Sequence, residues 1–549
     1  MDQNLKVADF FCGAGGFSEG FRQAGFDIAF ALDLWGPAIE THQLNHPMCK
    51  SMQMDILELS SPEIIDKIIP NVDIIIGSPP CVSFSYANRG GNVDKSEGKM
   101  LVKAFLRIIA WKKKKGALRY WALENVPALR AYIKQRYTFD ELDLPGGNKT
   151  ALEVNGDLYD ASEYGAPQRR IRFICGDFPK PKKAERQITL GDVISALNTK
   201  KPVVSDPVYD LKILRDHLTD HYYDTSIPKF RWQEAKRLKL DSGFYGRMSF
   251  PDELNRPSRT VMALKTVPSR ESIILEVSKS GEYRSPTIRE FASIMGFPIT
   301  YLFQANSEAT KQRLIGNAVP PPLSYSIADS IRKTEGLKST KLISTPVDVS
   351  KLRLNLNGMA IKKGSPHDRK PMARFARHID YLKYRSFRVE LDNKSSNFAE
   401  DKIIWTAKLH HSTGKEQMKY LEAQSKSVLA KLKESGDNSR IAAFVKDLQK
   451  MLGDKIPSAK EFQIQYCKIK KEKNLLSPEN ALTAIRALID VHFPDKAFKD
   501  ITIRVNNRKN SGFHFFGKEV SYIDVPIRFL AGLYACQRIV ELTQKEKSA

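Results

Sequence analysis

The sequence predicts an open α/β sheet that places its chemistry at the carboxyl edge of its strands. Three stretches predict it. Residues 73–86 read Asp-Ile-Ile-Ile-Gly-Ser-Pro-Pro-Cys-Val-Ser-Phe-Ser-Tyr. A β-branched run stopped by Gly77 and stiffened by Pro79 and Pro80 is the pattern of a buried strand entering a rigid turn. Upstream, Asp9-Phe10-Phe11-Cys12-Gly13-Ala14-Gly15-Gly16-Phe17 is a Gly-rich turn after a first strand. Downstream, Trp121-Ala122-Leu123-Glu124-Asn125-Val126 is another strand that ends in polar residues. Open α/β sheets bind their ligands at this edge. Cys81 stands there, and a thiolate is a strong nucleophile when a rigid turn aims it. A buried structural cysteine fits the same segment.

In chain order, residues 7–11 form strand one and residues 17–24 the helix after it. Gly13 and Gly15 allow a tight turn that can cradle a nucleotide-like ligand, although a bland turn has the same composition. Residues 28–33 form strand two and leave Asp33 at its end, placed for ribose hydroxyls or for capping the next helix. Met54-Asp55-Ile56 ends a third edge, where Asp55 can accept an adenine amino hydrogen. After Cys81, residues 82–98 form a basic, Gly-containing loop suited to closing on nucleic acid, or an ordinary exposed loop. Residues 101–111 have helical periodicity, and residues 112–115 form a charge run expected to be solvated. Glu124 at the next strand end is placed as a general acid. Gln168-Arg169-Arg170-Ile171-Arg172 leads into the strand at residues 173–175.

With 549 residues, the chain is too long for one core, and two or three domains are expected. The formal net charge of +24 points to a polyanionic partner, foremost nucleic acid. Most of it lies in residues 341–549, where 40 Lys and Arg face 23 Asp and Glu. Six cysteines lie far apart without a Cys-x-x-Cys pair, which suits a reducing cytoplasm and gives no zinc site. The start lacks an apolar leader and no run is long enough to cross a bilayer, so a cytoplasmic, nucleoid-associated protein is expected.

The Gly-rich turn, the Pro-Pro-Cys turn, Glu124-Asn125-Val126, residues 168–172, Arg256-Pro257-Ser258-Arg259-Thr260 and Gly316-Asn317-Ala318-Val319-Pro320 occur in this order. Together they resemble the cytosine-C5 DNA methyltransferase family of bacterial restriction–modification systems, over about residues 1–335. The resemblance implies a Rossmann-like S-adenosylmethionine-dependent methyltransferase sheet. It implies Phe11, Gly13, Gly15, Asp33, Asp55, Ile56 and Asn317 as cofactor residues, and Cys81, Glu124, Arg170 and Arg172 as catalytic ones. In the family, Arg170 and Arg172 would hold the flipped base, the carboxylate and the thiolate. Asp33 falls where Glu is frequent, and Val82 where Gln is usual.

The expected domains are a catalytic core (1–178), a small target-recognition domain (179–255), the remaining methyltransferase motifs (256–338), a Ser-, Lys- and Pro-rich linker (339–371) and a separate basic α+β domain (372–549). The recognition interval is basic and aromatic, with His217, His221, Tyr222, Tyr223, Lys229, Phe230, Arg231 and Trp232. That suits base-edge and phosphate contact. In the last domain, strands are expected at residues 387–391, 403–409, 501–505 and 520–525, and helices at 418–434, 441–452, 478–491 and 527–542. Its charge suggests accessory DNA binding. The expected activity is methyl transfer to C5 of a flipped cytosine in a short double-stranded DNA site, by a monomer with a cognate restriction endonuclease as functional partner. The rivals are a tRNA cytosine-5 methyltransferase and a fused methyltransferase–endonuclease. Asp392-Asn393-Lys394 supplies the Asp-x-Lys spacing for the latter.

Overall fold

The computed structural model describes residues 5–80, 96–198, 201–222, 226–240, 248–264, 267–277, 281–342, 349–356, 369–380, 382, 384, 386–411, 419–468, 472, 474–507, 512–516 and 521–544. The chain forms two compact units. One comprises Met1–Lys236 and Ser249–Lys363, the other Arg237–Met248 and Gly364–Ala549.

The first unit starts with β1 (Lys6–Phe10), α1 (Gly16–Gln23), β2 (Asp27–Asp33), α2 (Gly36–Asn45), β3 (Lys50–Gln53), α3 (Pro62–Ile68) and β4 (Ile74–Gly77). It continues through α4 (Ser96–Lys114), β5 (Tyr120–Asn125), β6 (Arg136–Thr138), β7 (Thr150–Glu153), β8 (Asn155–Asp160) and β9 (Ile171–Asp177). Seven of these strands form one sheet in the order β3-β2-β1-β4-β5-β9-β8. The first five are parallel, β9 runs antiparallel to β5, and β8 runs antiparallel to β9 and so in the direction of the first five. A strand buried on both faces reads as a continuous apolar run, which accounts for Ile74-Ile75-Ile76. Ile75 packs with Phe10, Phe105 and Trp121 on the face covered by α3 and α4. Ile74 and Ile76 pack with Val7, Phe17 and Leu323 on the other.

The helix expected at residues 101–111 begins earlier, at Ser96, so Gly98 and Lys99 belong to α4 rather than to the loop before it. Lys112 departs from the solvated charge run. It is buried, and its Nζ donates to the Ile69 carbonyl at 2.9 Å and to Asp66 at 3.2 Å. Strand β5 runs through Glu124 and Asn125 instead of stopping before them.

The recognition interval and the later motifs contain α5 (Leu190–Leu197), β10 (Val203–Ser205), β11 (Lys212–Leu214), α6 (Lys229–Leu240), β12 (Leu275–Glu276), β13 (Tyr283–Arg284), α7 (Ile288–Met295), α8 (Glu308–Asn317) and α9 (Pro321–Thr334). Helix α9 lies against α1. A Cβ on Gly20 would fall 2.4 Å from Ser324, and Ser324 Oγ donates to the Phe17 carbonyl at 2.6 Å. His221 and Tyr222, expected on a DNA-facing surface, are instead buried, and His221 Nδ1 lies 3.1 Å from Thr287 Oγ1. Tyr222 Oη donates to Glu308 Oε1 at 2.5 Å, so both side chains are turned to polar partners within the fold.

Part of the expected linker is tied down. Lys311 Nζ donates to both Asp220 oxygens, at 2.8 and 2.9 Å, and to the Leu354 carbonyl. Asn355 Oδ1 accepts from Asp220 N at 3.2 Å, and Arg353 N donates to Gln304 Oε1 at 3.0 Å. The Lys311–Asp220 pair is fully buried, and each carries further hydrogen bonds, the condition under which a buried charge is tolerated.

The second unit contains β14 (Ala376–His378), β15 (Arg388–Asp392), β16 (Thr406–His411), β17 (Lys419–Ala423), α10 (Ser425–Lys433), α11 (Asn438–Leu452), α12 (Ala459–Cys467), α13 (Pro478–His492), α14 (Asp495–Phe498), β18 (Thr502–Asn506), β19 (Phe513–Phe516), β20 (Tyr522–Pro526) and α15 (Ile527–Thr543). An antiparallel sheet, β14-β15-β16-β17-β19, packs Val389, Leu391, Ala407 and Leu409 against Phe529, Leu530 and Leu533 of α15. The helix expected over residues 418–434 is a strand in its first part. Leu421 and Ala423 point into the core two residues apart, and pairing with β16 and β19 fixes that register.

Among the described residues, no helix is long and apolar enough to cross a membrane.

Candidate active site

At the end of β4, Gly77 has no room for a side chain. A Cβ there would lie 2.5 Å from the Phe105 ring. The next two residues, Ser78 and Pro79, are bonded to their neighbours on either side. Ser78 N donates to the Phe10 carbonyl and Ser78 Oγ to the Phe11 carbonyl, each at 3.1 Å. Asn125 Nδ2 donates to the Pro79 carbonyl at 2.8 Å. Cys81 follows directly. It and residues 82–95 lie outside the described residues, so the proposed nucleophile and lid rest on the sequence.

Glu124 stands one strand away, on β5. It is buried, and Arg172 Nε of β9 lies 3.0 Å from its Oε1. Burial raises its pKa above the ordinary carboxylate value, against the pull of Arg172 and then Arg170. Arg172 Nη1 donates to the Ile171 carbonyl at 2.8 Å, which fixes the guanidinium against the strand. Arg170 is buried and binds main chain: Nη1 donates to Val261 O at 3.2 Å, and Nη2 to Gly316 O at 3.0 Å and Ala318 O at 3.2 Å. It therefore joins the segments at 256–264 and 316–320 to β9, an architectural role that motif reading did not supply.

On the glycine side, Phe11, Gly13 and Gly15 all have positive φ, at 55°, 55° and 87°. Asp33 braces this turn. Its Oδ2 accepts from Gly13 N at 2.9 Å and its Oδ1 from Trp35 N at 2.8 Å. Each carboxylate oxygen has a second lone pair, so ligand hydroxyls can still be accepted. Asp55 caps a helical turn at Ile56–Glu58, with Oδ1 accepting from Leu57 N at 2.9 Å. The Ile56 side chain is in the core beside Phe10 and Phe30, which leaves its main chain as what it can offer a ligand. Asn317 ends α8 and is exposed. Its neighbours back onto the glycine turn, because a Cβ on Gly16 would meet the Val319 carbonyl at 2.2 Å. The structure thus brings Phe11, Gly13, Gly15, Asp33 and the segment holding Asn317 together, with Asp55 at the adjoining edge.

Beneath the turn lies a polar layer that sequence reading missed. Tyr301 Oη donates to the Ala14 carbonyl at 2.5 Å. Ser18 Oγ donates to Asp9 Oδ2 at 2.6 Å, His42 Nε2 lies 3.0 Å from Ser18 Oγ, and His42 Nδ1 lies 2.9 Å from Ser51 Oγ. Burial pushes the Asp9 carboxyl up to about 7 and the His46 imidazole down to about 3. The only signal in the sequence was an acidic residue inside a buried strand. Folding raises the Asp9 pKa, so the folded chain binds more protons. Its contribution is fully present below the unfolded value of about 3.9 and is lost as pH rises through about 7. Asp9→Asn should remove a loss on the order of 4 kcal/mol between pH 4 and 8. Urea melts of both chains across that range check it, and parallel pH profiles would refute it.

In the second unit, Asp392 is fully buried, and Lys408 Nζ lies 3.4 Å from its Oδ2, while Lys394 Nζ bonds Glu390 at 2.7 Å. Among the described residues, no three His, Cys, Asp or Glu side chains are grouped to hold a metal ion.

Residues 5–333 match the family described as C-5 cytosine-specific DNA methylase. The type II methyltransferase M.MthTI of Methanothermobacter thermautotrophicus is 30% identical over 350 residues, covering 60% of this chain and 98% of that protein. M1.HphI of Haemophilus parahaemolyticus is 27% identical over 354 residues, covering 60% and 87%. M.NgoPII of Neisseria gonorrhoeae is 26% identical over 343 residues, covering 60% and 96%.

Proposed function

Because the chain belongs to the C-5 cytosine-specific DNA methylase family, we propose that it methylates C5 of an extruded cytosine in a short double-stranded DNA site, as a monomer in a restriction–modification system with a cognate endonuclease. The observation that carries this reading is the Glu124–Arg172 pair, with Glu124 buried on the strand next to the Pro-Pro-Cys turn and Arg172 on the strand beyond it. The glycine side fits S-adenosylmethionine. Asp33 keeps acceptor capacity beside the turn's amides, and exposed Leu34 next to it offers apolar cover for a base. Phe11, Gly13, Gly15, Asp33, Asp55, Ile56 and Asn317 would hold it. When bound, S-adenosylmethionine supplies an electrophilic methyl group.

The protein's part is to make C5 nucleophilic. Cys81, as thiolate, adds to C6 and breaks the ring's aromaticity, so electron density moves to C5. Glu124 donates its proton to N3 as negative charge develops there. Arg172 holds Glu124 and the O2 edge of the base. Once C5 carries the methyl group, water takes the C5 proton, the C5–H electron pair expels Cys81 as thiolate, and N3 returns its proton to Glu124, which restores the ring. None of this can occur inside a stacked duplex, so the cytosine must leave the helix.

We assign residues 372–549 an accessory DNA-binding role on charge. Removing them should flatten the salt dependence of DNA affinity, and equal salt slopes would refute the assignment. For the activity itself, labelled methyl from S-adenosylmethionine should enter duplex DNA as 5-methylcytosine. Label entering tRNA instead would transfer the mechanism to another substrate.

A further inference from the structure

We propose that Leu264, with Met262 beside it, is an apolar wedge that enters the duplex and occupies the space the target cytosine vacates; this rests on the DNA reading above. Leu264 is 70% exposed and Met262 41% exposed. Single exposed apolar side chains are ordinary on protein surfaces, so exposure by itself carries nothing.

What sets this pair apart is the main chain beneath it. Thr260 Oγ1 donates to the Arg169 carbonyl at 2.8 Å, Val261 N donates to Gln168 Oε1 at 3.0 Å, and Arg170 Nη1 donates to the Val261 carbonyl at 3.2 Å. Gln312 Nε2 donates to the Met262 carbonyl at 2.8 Å. Gly316 closes the arrangement, since a Cβ there would lie 2.4 Å from Ala263 N. Gln168, Arg170 and Gln312 are all buried. Segment 260–263 is therefore riveted to the strand that carries Arg172, and through it to Glu124. Met262 lies within that segment and Leu264 follows it directly, and both exposed side chains are apolar.

The occupant follows from chemistry and charge. The extruded base leaves an apolar slot between two stacked neighbours, and apolar side chains, Leu and Met among them, wedge between base steps in kinked and unstacked DNA. Arg169, whose side chain is 75% exposed, adjoins the same segment; its Nε lies 3.3 Å from Asp160 Oδ2, and its other donors would meet a backbone phosphate. Leu and Met cannot read base edges by hydrogen bonding, so the pair serves extrusion rather than sequence choice.

The test uses the full chain and two duplexes bearing its methylation site, mapped from genomic 5-methylcytosine. In one duplex the target cytosine faces guanine; in the other it faces an abasic position, so that little pairing opposes extrusion. Leu264→Ala should slow single-turnover methylation of the paired duplex by about tenfold or more and of the unpaired duplex by less than about threefold. Leu264→Met should restore the paired rate. Equal slowing on both duplexes, or slowing on neither, overturns the wedge. A native chain that methylates neither duplex overturns the DNA reading instead, which keeps the two failures distinct.

Discussion

Cys81→Ala should abolish methyl transfer while S-adenosylmethionine binding stays within about twofold of the native chain. The alanine variant keeps Pro79 and Pro80 and the bonds that fix their turn, namely Asn125 to the Pro79 carbonyl and Ser78 to Phe10 and Phe11. It removes the sulfur that, in the proposed reaction, bonds C6. Without that bond C5 stays part of an aromatic ring, and the whole gain of splitting one hard step into two is lost. Tritium transfer in a single turnover, with calorimetric titration of the cofactor on the same preparation, checks both halves. Near-normal transfer by the variant would rule out covalent catalysis. Loss of cofactor binding together with activity would show instead that the substitution disturbed the glycine turn.

Glu124→Gln carries the second-largest expected effect, a fall of about 10²–10⁴ in the single-turnover rate. Gln keeps the shape and can still donate a hydrogen bond, but it cannot transfer a proton to N3. Burial holds the native carboxyl above its ordinary pKa despite Arg172 and Arg170, which favours the protonated form the donor role requires. The native rate should therefore fall as pH rises through that raised value, and the fall should vanish in the variant. An unchanged rate would remove Glu124 from the chemistry. A variant that keeps the same descending limb would assign that limb to another group.

Much of this was legible because the candidate residues stand at or near strand ends, where local signals are strong. Ile74-Ile75-Ile76 followed by Gly77 marked β4, and the glycines at 13 and 15 marked a turn whose φ values are positive. What was not legible depends on partners distant in sequence. Arg170 reads as one arginine among three, and only folding shows it bonded to carbonyls 91 to 148 residues away. Lys112 reads as solvated because its acceptor, the Ile69 carbonyl, is 43 residues upstream. His221 and Tyr222 read as a nucleic-acid surface because composition does not show that their partners, Thr287 and Glu308, lie inside the fold and 66 and 86 residues away. Residues 419–423 read as helix, yet pairing with β16 and β19 overrides their propensity and makes them β17.

The buried Lys311–Asp220 pair makes the stretch that folds longer than the stretch that resembles other methylases. The family match stops at residue 333, yet the ammonium's third acceptor is the Leu354 carbonyl. A gene cut where the homology ends would leave that ammonium one acceptor short and strip the cover from a dry ion pair. The shortest fragment worth expressing therefore ends beyond residue 356.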